Sequence, residues 1–188
     1  MNDIPFYRTL SSRFCAHLKL ASYLFEHLTL HTEIREEGGA YHCGAKYNIL
    51  TGVYQFYSSR DPNISSTYAS FNNAVKMIAN GEFTEQDLLE AKLSYIQDVD
   101  GVVSPGSRAS ITYFQHKVGL TKEARQKFRD QILGATTDDV IGAVRECLLP
   151  KIQSGDSIHI TYANPDLIAK ELTLFHEKGL PPMAMLSI

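Results

Sequence analysis

The densest run of reactive side chains lies between Glu26 and Cys43: Glu26, His27, His31, Glu33, Arg35, Glu36, Glu37, Tyr41, His42 and Cys43. His27, His31 and Arg35 recur every four residues, a spacing that sets them on one face of a helix. Two imidazoles so spaced can bind one zinc ion, with His42 or Cys43 as a third ligand. HLTLH lacks the glutamate of H-E-x-x-H, and a bare pair arises easily in a chain with seven histidines. The competing reading is a pair of partly exposed helix histidines. YLFEH, residues 23–27, misses the inverted motif H-x-x-E-H by one residue, because Tyr23 stands where the first histidine must be. A phenol with a pKa of about 10 replaces imidazole poorly at neutral pH, so Glu26 and His27 read as helix surface or packing.

Other motifs carry less. Asp98 and Asp100 before Gly101 lack the third acidic position and distal glutamate of a calcium loop. SPGSRAS lacks the strained serine elbow of the α/β-hydrolases. Lys122, Arg125, Lys127 and Arg129 alternate with Glu123 and Asp130, the pattern of a solvated helix face.

The elements that must position the reactive run are legible from periodicity. Phe14, Leu18, Ala21, Phe25 and Leu28 predict a helix from Ser12 to Glu37, stopped by Gly38-Gly39. YHCGAKYN and GVYQFYSS then predict an antiparallel hairpin, so that the helix end and the first strand share a rim near Tyr41. Ile64, Tyr68, Phe71, Val75 and Ile78 mark a helix ending at Gly81, and Thr84 with Asp87 forms a capping box for the next. Residues 100–107 form a loop, and three helices follow at 107–118, 121–133 and 137–149. SIHITYA alternates as a strand, and Asn164-Pro165 opens a last helix to about His176. The expected class is α+β, with helices layered on one antiparallel or mixed sheet.

Bulk properties narrow the function. At 188 residues the chain suits a single domain, 1–188, and with 44% hydrophobic residues it should fold. A net charge of −3 supplies no field to collect nucleic acid or anionic membrane. No apolar run approaches the roughly 18 residues that span a bilayer, and MNDIPFYRTLSSRF has no apolar core behind a basic cluster, so no signal peptide is expected. Three scattered cysteines, Cys15, Cys43 and Cys147, fit a reducing compartment, cytoplasm or organelle matrix.

IREEGGAY at 34–41, with LTLH before it, closely resembles a signature in the carboxy-terminal half of the pitrilysin/insulinase metallopeptidases, in the presequence-protease and falcilysin branch. GVYQFYSSRDPN at 52–63, FTEQDLLEAKLSYIQDVDGVVSPGSRA at 83–109 and RQKFRDQILGATTDDVIGAV at 125–144 resemble successive blocks of that branch in the same order. The resemblance runs from about Ile4 to Pro150 and implies the last of four related α+β domains that close as a clamshell around a peptide. It implies that zinc belongs to the first domain, so that this chain is expected to bind none and to be inactive alone. It also implies that Arg35 and Tyr41, flanking Gly38 and Gly39, contact the bound peptide. A guanidinium offers forked donors to peptide carbonyls, and a phenol can donate to an oxygen that gains negative charge.

The resemblance has departures. His42 and Cys43 stand where the family often carries glycines, adding bulk beside the peptide path. Nothing upstream of Met1 supplies the domain's opening strand, so an incomplete sheet with an exposed edge is expected. The expected partners are a peptide substrate and the zinc-bearing amino-terminal half of the protease, in cis or in trans, with no nucleic acid and no membrane. The runner-up reading is an inactive assembly subunit of the same family, and the third is a self-contained metal protein using His27, His31 and His42.

Overall fold

A computed structural model describes residues 14–177. Helix α1, Cys15–Phe25, is the central element: Cys15, Ala16, Leu18, Leu20, Ala21, Leu24 and Phe25 are all buried. From Glu26 to Glu37 the same helix continues in the wider π winding. The periodicity that predicts one regular helix therefore locates it correctly but misses its change of pitch. The reason lies in the buried stripe, which passes from Phe25 to Leu30 to Ile34 in steps of five and four residues; the wider i→i+5 winding keeps all three against the core.

Strands β1, His42–Asn48, and β2, Val53–Ser59, pair antiparallel with His42 opposite Ser59 and Asn48 opposite Val53. Cys43, Ala45 and Tyr47 face inward opposite Ser58, Phe56 and Tyr54. Phe25 seats edge-on against Tyr54, centroids 6.0 Å apart, and against Phe56 at 5.3 Å. Helix α2, Ser65–Asn80, closes the layer through Phe71, 5.3 Å from Phe56.

The remaining helices are α3, Glu85–Asp100; α4, Pro105–Lys117; α5, Lys122–Gly134; α6, Thr137–Cys147; a short α7, Leu149–Gln153; and α8, Pro165–Glu177; of these, α3, α5 and α6 pack against α1. Both Thr84 and Thr136 form full capping boxes, with Asp87 and Asp139 returning the bond to the threonine amide. Helix α4 buries no residue. The carboxylate of Glu171 on α8 accepts the Ser65 amide at 2.8 Å, capping α2 from 106 residues away. This is the expected α+β arrangement of helices on an antiparallel sheet. The expected elements differ in places: residues 157–163, expected as a strand, form no strand among the described residues. Short α7 was absent from the expected elements, and α4 begins at Pro105, two residues earlier than expected. No helix among the described residues is long and apolar enough to cross a membrane.

Candidate functional site

The π-helix ends at Gly38 and Gly39, and the two glycines are needed for different reasons. A Cβ at Gly38 would lie 2.6 Å from the Ile34 carbonyl oxygen and 2.9 Å from that of Glu33, backbone atoms with little room to give. Gly39 has φ +80°, the left-handed conformation that costs other residues about 1–2 kcal/mol. The Gly39 amide donates to the Arg35 carbonyl at 3.1 Å and the Ala40 amide to that of Ile34 at 3.0 Å. This is the left-handed closure of a helix end, set one residue wider to suit the π winding.

The turn after β2 clamps that closure. Asn63 donates its side-chain amide to the Gly38 carbonyl at 2.7 Å, while its own N–H bonds Asp61 Oδ1 at 2.9 Å. Thr67 from α2 donates to the other Asp61 oxygen at 2.7 Å. Tyr41 enters β1 by donating its amide to the Ser59 carbonyl at 3.2 Å. The glycine pair is thus held between the helix and the hairpin, and Arg35 and Tyr41 flank it.

Both side chains stand open. Tyr41 is 66% exposed, with the Arg60 guanidinium 4.9 Å above its ring. Arg60 adopts φ +49°, uncommon for a residue with a Cβ, where the chain turns away from β2. Arg35 is exposed and its Nη1 lies 3.1 Å from His31 Nε2. His31 Nδ1 in turn meets Glu36 Oε1 at 3.3 Å, so the imidazole accepts from Arg35 and donates to Glu36. The i,i+4 spacing that suggested a metal pair has instead placed an imidazole beside a guanidinium.

His42 and Cys43, two residues weighed as metal ligands, point to opposite faces of β1. The Cys43 thiol is buried and donates to the Leu30 carbonyl at 3.1 Å; burial, followed by the nearby Glu26 carboxylate, pushes its pKa up. His42 lies on the outer face, its ring 5.4 Å from Tyr57 and its Nε2 3.4 Å from the Tyr57 hydroxyl. His27 is exposed on the helix. Among the described residues no three histidine, cysteine or acidic side chains converge as a metal group would need. The residues here therefore do not fit zinc. Tyr23 of YLFEH donates to Asp98 at 2.5 Å, and Arg129 of the basic helix forms a two-pronged pair with Asp100, both contacts 2.7 Å.

The model of the PreP C-terminal domain family matches residues 18–146. The chain belongs to that family. It is 39% identical over 133 residues to the mitochondrial presequence protease of Xenopus tropicalis, covering 71% of this chain and 13% of the relative. Similarity to the protein of the same name from Mus musculus is 42% over 123 residues, 65% of this chain and 12% of the relative. For Saccharomyces cerevisiae it is 40% over 128 residues, 68% and 12%. The chain thus spans about an eighth of the length of these relatives, and the matched stretch contains the whole glycine closure with Arg35, Tyr41 and the Arg60–Asn63 turn.

Arg60, Asp61 and Asn63 are the residues that reading from Glu26 to Cys43 did not single out for this site. Their signal was present in RDPN, a turn block at 60–63 that lies well outside the reactive run in sequence.

Proposed function

We propose that this chain is the substrate-contacting, non-catalytic domain of a zinc metalloendopeptidase acting on short unstructured peptides. The observation that carries the reading is the pair of exposed polar side chains, Arg35 and Tyr41, held at either end of a glycine closure that the Asn63–Gly38 bond fixes. A guanidinium and a phenol are electrophilic helpers: each can donate to a carbonyl oxygen, and neither is a base at neutral pH. In this reading the metal and its activated water belong to another part of the protease, in cis or in trans; among the described residues no group of metal-ligating side chains converges. The names of the relatives favour a mitochondrial, reducing compartment.

The test combines this chain with the zinc-bearing remainder of a relative and follows cleavage of an unstructured peptide. Tyr41→Phe and Arg35→Lys are each expected to lower kcat/KM about 10²-fold, the effect of removing one donor to a developing oxyanion. Activity at the parent's level in both variants would overturn the assignment, and so would zinc-dependent cleavage by the 188-residue chain alone.

A further inference from the structure

Tyr41 is largely exposed, and among the described residues its hydroxyl makes no hydrogen bond. A phenol so placed is free to swing about its side-chain torsions, whereas a donor to a developing oxyanion works only if it is already aimed where the charge will form. Arg35 has an orienting partner in His31 Nε2, 3.1 Å away. For Tyr41 the orienting contact is on the face of the ring.

That contact comes from Arg60, whose Cζ stands 4.9 Å from the ring centroid. The separation is well inside the roughly 6 Å reach of a cation–π attraction. One step beyond the last ladder pair, His42 with Ser59, the hairpin register leads to Tyr41 and Arg60, and the Tyr41 amide already bonds the Ser59 carbonyl. The two side chains are thus neighbours across the mouth of the hairpin. The adjacent carboxylate does not divert the guanidinium, since Asp61 accepts the Asn63 amide on one oxygen and the Thr67 hydroxyl on the other.

The backbone carries a second, independent sign. Among the described residues Arg60 alone, glycines apart, has a positive φ, +49°. Glycine or asparagine would take that conformation with less strain. The turn itself is closed by Asp61 and Asn63, with no use of the arginine side chain. Strain of this kind persists where the surrounding structure over-determines it, and it clusters at functional sites. Tyr41, rather than the turn, is what an arginine serves here.

We propose that Arg60 is a positioning residue for Tyr41: its guanidinium pins the ring so that the phenol O–H faces the peptide carbonyl oxygen, and the left-handed turn brings it there. Arg60 itself does not touch the peptide. The proposal rests on the reading that Tyr41 donates to substrate, and it deepens that reading by naming what aims the donor. Such a residue acts on the chemical step, so its loss lowers kcat and leaves KM in place.

The experiment combines the 188-residue chain with the zinc-bearing remainder of the Mus musculus relative and follows cleavage of an unstructured peptide. Arg60→Asn removes the cation while suiting the left-handed backbone. It should lower kcat about tenfold at constant KM, with the chain's urea midpoint equal to the parent's or higher. Arg60→Lys keeps a cation over the ring and should recover most of the loss. In the Tyr41→Phe background Arg60→Asn should cost nothing further, because no hydroxyl remains to be aimed. In the free chain the two Hα–Hβ couplings of Tyr41, distinct in the parent, should average toward one value in Arg60→Asn.

Parent-level kcat in Arg60→Asn, where Tyr41→Phe loses activity, overturns this proposal and leaves the functional reading standing. So do unmoved Tyr41 couplings, or a lowered urea midpoint that makes the arginine part of the turn's own structure. An added loss in the Tyr41→Phe background, or a rise in KM alone, shows Arg60 touching the peptide and overturns the positioning role. Parent-level activity in Tyr41→Phe, or a parent mixture that cleaves nothing, overturns the functional reading and this proposal with it.

Discussion

The glycine closure offers a sharp test of how the site is held, through Gly38→Ala. The added Cβ would sit 2.6 Å from the Ile34 carbonyl oxygen, where ordinary contact begins at 3.4 Å, so helix and turn must separate by about 0.8 Å. Neither neighbour is a flexible side-chain tip. The Ile34 oxygen already accepts the Ala40 amide, and the Gly38 carbonyl accepts Asn63, so the shift strains two bonds of the closure. Overpacking of this kind costs about 1–3 kcal/mol, which in a chain of this size lowers Tm by roughly 2–4 °C per kcal/mol. Gly39→Ala should cost about 1–2 kcal/mol by another route, since there the backbone conformation is strained while the nearest atom, Pro62 Cγ, stands at a comfortable 3.7 Å. The two mechanisms separate with asparagine, which tolerates the left-handed region: Gly39→Asn should recover part of the loss, and Gly38→Asn none. Urea denaturation of the four variants, with the Asn63 side-chain amide followed by NMR, reads both effects. A Gly38→Ala chain that unfolds at the parent's midpoint with an unmoved Asn63 signal would refute the packing argument.

Three further outcomes follow from the fold. Phe25→Ala removes the ring that Tyr54 and Phe56 pack against and should cost about 3–5 kcal/mol in denaturant titration; a loss under 1 kcal/mol would place the core elsewhere. Asp139 is held below the usual carboxylate range by the Thr136 amide first and the Thr136 hydroxyl next. Its contribution is therefore full above the unfolded value of about 3.9 and is lost as pH falls through the lower folded value; Asp139→Asn should flatten the stability profile below about pH 4. Among the thiols, Cys15 and Cys43 are buried, and burial raises the Cys43 pKa, whereas Cys147 is half-buried. An aromatic disulfide reagent at pH 8 should modify Cys147 in the native protein and all three only after unfolding, and rapid native modification of Cys43 would contradict its bond to Leu30.

What could be read without coordinates was local. The capping boxes at Thr84 and Thr136 join residues three apart, the hairpin needs only two tyrosine-rich stretches and a short turn, and the glycine pair marks the helix stop. From these the helix-over-sheet class and the rim between helix end and first strand followed directly. Arg35 and Tyr41 emerged only through long ordered blocks shared with a family, because neither an exposed arginine nor a strand tyrosine is distinctive by type alone.

The rest depends on contacts between residues distant in sequence, whose strength no spacing rule records. Whether residues 26–37 wind as α or π depends on the core that Phe25, Leu30 and Ile34 must all reach. Arg60 reaches Tyr41, and Asn63 reaches Gly38, only because β2 returns its turn to the helix end. SIHITYA has the alternation of a strand, but a strand needs a neighbour's backbone to complete it, and side-chain pattern alone cannot supply one. Sequence thus determined which segments are helical, extended or turning. Tertiary packing decided the pitch, the partners and the open edge, because hydrogen bonds across 20 to 100 residues form only where the whole chain brings their ends together.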